Sequence, residues 1–155
     1  MNYFFKTCLA FILTISVFSV NAQQSDSTDV KVSVEKFLQS FNSLQWEPFR
    51  KSFADDATIF FPEWEQASRR IGRAEIEKTW LDLFPEFKDP NNILKLGITP
   101  RDVRIQVYDQ TAIVTFHLGN GEKYLSRRTL VMVKQKEEWK IAHLHASTLF
   151  PPENK

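Results

Sequence analysis

The chain has 155 residues, with 20 Lys and Arg against 19 Asp and Glu, and 14% of it is aromatic. A near-neutral chain of this length makes one domain with a real core, and it lacks the basic excess that points to nucleic acid or an anionic membrane as partner. Its single cysteine, Cys8, excludes an internal disulfide, so stability must come from packing.

The first segment stands apart from the fold. After Lys6, Thr7 to Val20 is almost unbroken apolar sequence, and Val20-Asn21-Ala22 ends in the small-residue pattern of a cleavage site. Residues 1–22 therefore read as a secretory signal peptide, because the apolar run of about fourteen residues falls short of the roughly 20 that a spanning helix needs. Its removal takes Cys8 and Lys6 away and balances basic and acidic side chains. The expectation is an exported protein, periplasmic or secreted, with no membrane contact after cleavage. Residues 23–29 are polar and read as a disordered leader; 30–150 form the domain and 151–155 a short tail.

Val30, Val34, Phe37, Leu38 and Phe41 recur at i, i+3, i+4 and i+7, which predicts a helix capped by Thr28 or Asp29. Pro48 suits the first turn of a second helix over 47–53. Ala57 to Phe61 is β-branched and aromatic, a strand stopped by Pro62. A short strand ends at Ile71, and after Gly72 a third helix runs over 73–84 with Ile76, Trp80, Leu81 and Phe84 on one face. Pro85, Pro90 and Asn91-Asn92 mark a loop. Four strands follow, over 99–108, 112–118, 123–134 and 139–149, with Gly119-Asn120-Gly121 as a hairpin signal. Helices first and then an antiparallel meander make an α+β domain. Strict alternation along the last strand places Trp139, Ile141, His143, His145 and Ser147 on one face and Lys140, Ala142, Leu144 and Ala146 on the other. Val131, Val133, Ala142 and Leu144 then make the second sheet face apolar, which predicts cover by another copy and hence a homodimer.

These pieces resemble a known family. Phe53-Ala54-Asp55-Asp56-Ala57-Thr58, Ile71-Gly72-Arg73-Ala74-Glu75-Ile76 followed by Trp80, Arg101-Asp102-Val103-Arg104-Ile105 and the closing Trp139 to Ser147 strand are similar, in order and spacing, to SnoaL-like domains of the nuclear transport factor 2-like superfamily. The closing strand is also similar to the association domain of calcium/calmodulin-dependent protein kinase, a non-catalytic relative. The resemblance implies a cone: a curved, mostly antiparallel sheet wrapped around the N-terminal helices, with a pocket between them. The superfamily holds polyketide cyclases, ketosteroid isomerases, dehydratases and epoxide hydrolases as well as binding and assembly modules, so fold alone does not give function.

Candidate site residues follow from parity within that cone. His143 and His145 lie about 7 Å apart along one strand face, and His117 joins them only if register and face agree. Paired imidazoles can act as acid and base, as in dehydratase-type members; their spacing is not a metal motif, and no metal or cofactor is expected. One of Arg127 and Arg128 must point inward, and Arg128 is the candidate for holding a carboxylate against aromatic walls formed by Trp46, Phe60, Trp64, Trp80 and Phe84. Glu63 and Glu65 could reach the mouth. Three readings result: a small-molecule-binding domain with undefined ligand; a cofactor-independent lyase, isomerase or hydrolase working through the histidines; and a dimeric assembly module whose cone is filled by side chains.

Overall fold

The computed structural model describes residues 26–62, 68–119 and 125–150. The expected signal peptide, Trp64, Glu63, Glu65, Asn120, Gly121 and the tail lie outside the described residues. Helix α1 covers residues 26–42, so the helix starts within the segment expected to be a disordered leader. Lys134 explains the earlier start: its ammonium sits 2.9 Å from the Asp26 carboxylate and ties the first turn to the sheet. The helix stops at Leu44, which takes a positive φ of 50° while the Gln45 N–H reaches back to the Ser40 carbonyl at 2.9 Å.

Helix α2 (Trp46–Arg50) is shorter than expected, because Phe53 already belongs to the first strand. Strands β1 (Phe53–Phe60) and β2 (Arg70–Ile71), helix α3 (Arg73–Leu83) and a 3-10 turn over Pro85–Lys88 precede the meander. Gly72, at the start of α3, needs its φ of 80°, and its N–H bonds to the Ala57 carbonyl at 2.8 Å. The meander is β3 (Arg101–Tyr108), β4 (Thr111–Leu118), β5 (Leu125–Gln135) and β6 (Glu138–Leu149).

The sheet order is β2-β1-β6-β5-β4-β3, with β1 parallel to β6 and every other pair antiparallel. It curls without closing, as the cone fold requires. Its concave face is buried under α1, α2 and α3. Phe49 is fully buried at the centre of that contact, with its ring centroid 5.5 Å from Phe37, 5.5 Å from Phe53, 5.1 Å from Trp80 and 4.8 Å from Phe87. Burying that much aromatic surface supplies the cohesion that a cysteine-poor chain needs.

One feature of β6 overturns the expected face assignment. Val131 opposes His143 while Met132 opposes Ile141, so Ala142 is an extra residue in β6. Such a bulge shifts the two-residue alternation by one. Trp139 and Ile141 face the core, as Leu144 and Ala146 also do, whereas His143, His145 and Ser147 turn to the convex face. The apolar stripe on that convex face is corrected accordingly: Leu144 is buried inside, Ala142 is the bulge, and Val131 and Val133 remain outside, joined by Ile113 of β4.

Candidate functional site

Between the C-terminal half of α1, the end of α3 and the strands lies the interior of the cone. Phe37, Phe41, Phe61, Trp80, Phe84 and Phe116 supply its rings, and among the described residues Arg128 is its one charged lining residue. The cavity left among them measures about 60 Å³. That is room for about two water molecules, well below the 300–1,000 Å³ or so of ordinary ligand pockets.

The sequence dictates this filling. Phe41 and Trp80 meet edge to face at 5.1 Å, and Phe41 meets Phe84 at 5.2 Å, so α1 and α3 interdigitate aromatic side chains over the sheet. Arg128 faces inward through its register with Phe116 and Ala146, while Arg127 points outward. The Arg128 guanidinium donates to the Ser126 hydroxyl and, at 3.1 Å, to the Arg127 carbonyl. Ser126 in turn lies 3.1 Å from the Thr148 hydroxyl, so the arginine is anchored at the wide end of the cone. Trp80 is 7% exposed, and its indole N–H has no hydrogen-bond partner among the described residues. Among the described residues the cone therefore offers donors and aromatic faces, and no carboxylate or imidazole.

Of the candidates named from sequence, Trp80, Phe84 and Arg128 converge on this cavity. Trp46 packs lower down, 5.3 Å from Phe87. Phe60, His143 and His145 lie together on the convex face instead. The His143 Nδ1 is 2.7 Å from the Thr58 hydroxyl, and the Phe60 ring sits 5.9 Å from His143 and 5.7 Å from His145. Partial burial, then the neighbouring His145 and Arg69, hold His143 below the ordinary histidine pKa of 6.5. His117 shares this outer face but stands on β4, paired with Arg127, and faces the Asp102 carboxylate at 3.6 Å. Among the described residues no three His, Cys, Asp or Glu side chains converge as a metal site.

A second, larger space of about 500 Å³ opens at the other end of the molecule, between α1, α2 and the β5–β6 turn. It is a surface groove in which Lys36, Lys51 and Lys140 are matched by Asp29, Glu137 and Glu138. Lys140 is already engaged, 2.6 Å from Glu138 and 2.9 Å from the Lys51 carbonyl. Sequence reasoning gave no warning of this groove, since its residues come from three elements and form no motif.

A curled six-stranded mixed sheet closed by three N-terminal helices over an aromatic interior defines the nuclear transport factor 2-like class. More narrowly, residues 30–151 match the SnoaL-like domain family, and the chain belongs to it. Solved structures agree on the fold. A nuclear transport factor 2-like protein of unknown function from Pseudomonas putida has a TM-score of 0.68 at 16% identity, over 84% of this chain and 91% of that one. The calcium/calmodulin-dependent protein kinase II hub of S. rosetta has a TM-score of 0.61 at 25% identity, over 79% of this chain and 96% of that one. No curated protein sequence matches the chain.

Proposed function

We propose that this protein is an exported, non-catalytic SnoaL-like module that self-associates as a homodimer through the convex face of its sheet. The observation that carries this reading is the contrast between the two faces. The cone interior is filled by rings down to about 60 Å³, whereas the convex face keeps Ile113, Val131 and Val133 only half-buried on neighbouring rows, with Tyr108 56% exposed beside them. An apolar patch of that kind marks a contact surface. The likeness to a kinase hub supports assembly as the use of the fold. The histidines that an acid–base mechanism would need are on the wrong side of the sheet for chemistry inside the cone. Sedimentation of residues 23–155 at micromolar concentration tests the reading. A dimer is expected, with Ile113→Glu plus Val131→Glu giving a folded monomer; a monomeric wild-type chain would refute it.

A second reading has its own support. Arg128 at the wide end and the Trp80 indole N–H, which has no partner among the described residues, are both donors, so a small carboxylate is the ligand chemistry this cone would accept. Native mass spectrometry of the purified chain separates the two readings: a bound acid lost on Arg128→Gln favours the binder, and a bare dimer favours the assembly module.

A further inference from the structure

The convex face changes character along its length. Across β3, β4, β5 and β6 the Cα partners Arg101, His117, Arg127 and Ser147 form one row. The adjacent row is Arg104, Thr115, Thr129 and His145. Every one of these eight side chains can donate a hydrogen bond. The second row ends on Phe60, with the Arg69 guanidinium 5.9 Å from the ring centroid. Neither row holds a carboxylate; Asp102, 81% exposed, stands beside them with its carboxylate 3.6 Å from His117.

Two physical points separate this patch from an ordinary solvated face. Neighbouring strands lie about 4.8 Å apart, so Arg101 and Arg127 flank His117 at roughly 10 Å from each other, with Arg104 on the next row. Like charges ranged across strands cost stability. Charges on the exposed edge of a sheet have a protective use, and β3 is such an edge. Arg127, however, is on β5, which is paired on both sides, so edge protection does not account for it. None of the Arg101, Arg104 and Arg127 guanidiniums has an ion-pair or hydrogen-bond partner among the described residues.

We propose that these two rows are a binding site for a multivalent oxyanion, a sulfate or phosphate group held by Arg101, Arg104 and Arg127 with the Thr115 and Thr129 hydroxyls beneath it. Guanidinium forks match the oxygens of such groups, and hydroxyls complete the donor set. The same chemistry is met in free inorganic anions and in sulfated polymers. The site borders the Ile113, Val131 and Val133 patch, whose nearest row lies two residues along β4 and β5, and all of its donors come from one chain.

Calorimetric titration of the full chain at constant ionic strength, set with chloride, tests this with inorganic phosphate, sodium sulfate and a heparin oligosaccharide as probes. Saturable binding of the inorganic anions identifies a free-anion site, and saturable binding of heparin alone identifies a polymer-borne one. In either case Arg127→Gln lowers affinity by roughly tenfold, the loss of one charge-assisted contact. Arg101→Gln with Arg104→Gln on the edge strand removes binding altogether, without change in melting temperature, and serves if the β5 variant folds poorly. Lys36→Gln, in the groove at the far end, leaves affinity unchanged. The proposal is overturned if no probe saturates, if the arginine variants bind as well as the parent, or if Lys36→Gln weakens binding equally.

Discussion

Phe49→Ala tests whether the cone is a packed core. Phe49 is fully buried and meets six aromatic rings, those of Phe37, Phe41, Trp46, Phe53, Trp80 and Phe87, at centroid distances from 4.8 to 6.3 Å. Truncating a buried Phe costs about 3–5 kcal/mol, combining lost transfer energy with the cavity that remains. Rings on α1, β1, α3 and the 3-10 turn bound the hole, and they cannot all collapse into it, which places the cost at the upper end, about 4–5 kcal/mol. Against a total stability of roughly 5–15 kcal/mol, the variant would remain folded only narrowly. Urea unfolding followed by circular dichroism reads this directly: at a slope of about 2 kcal/mol per molar, the midpoint should fall by about 2 M. Phe84, only half-buried at the wide end, should cost less on truncation. A loss below about 1.5 kcal/mol at Phe49, or a larger loss at Phe84, would refute the view that the rings are core rather than pocket wall.

The remaining predictions address individual features. Phe84→Ala should widen the 60 Å³ cavity enough to admit a small apolar molecule such as benzene, detected as a rise in melting temperature with added ligand; no rise would show that the interior collapses. In proton NMR the His143 imidazole should titrate below the ordinary 6.5, and His145→Ala or Arg69→Gln should move its midpoint upward. Because the folded-state value is depressed, the unfolded chain takes up the proton first. This contribution is therefore present above pH 6.5 and is lost as pH falls from there through the folded-state value; a midpoint at or above 6.5 would contradict it. Gly72→Ala should cost about 1–2 kcal/mol, since its φ of 80° strains any residue with a β-carbon, although nothing closer than the Asp55 carbonyl at 3.9 Å would meet the added methyl; a neutral result would show that the loop can readjust.

Most of the scaffold was legible because local rules agree with the global fold. The helical stripe from Val30 to Phe41, Gly72 before α3 and the strands of the meander each carry their own periodicity or breaker, and each appears within a few residues of its expected limits. Boundaries slipped where a distant contact decided them. Asp26 is held by Lys134, more than a hundred residues away, and Asp55, which falls between the expected helix and the expected strand, lies inside β1, where the Arg73 guanidinium binds its carboxylate. The inward Arg128 was a correct alternative within a pair that parity could not resolve, and the pairing of Phe116 with Arg128 resolves it.

The histidines show where such reasoning stops. Period-two alternation assumes an unbroken ladder, and from Trp139 to Ile141 it holds. A single inserted residue at Ala142 reverses it for the rest of β6, and Ala carries no glycine or proline flag that would betray the bulge. The core supplies the reason. Leu144 and Ala146 must face α1 and α3, and Trp139 and Ile141 must face α1 and α2, yet an even alternation can bury only one pair. Four buried apolar side chains outweigh one irregular ladder step, so the strand bulges and the imidazoles follow the polar side outward. Deleting Ala142 makes the conflict measurable. Without the extra residue, either His143 and His145 enter an aromatic core or the first two core residues leave it. The variant should unfold outright, whereas Ala142→Gly, which keeps the count, should lose about 1 kcal/mol or less. A well-folded deletion variant would mean that the register, and with it the separation of the histidines from the cone, is not fixed by the core.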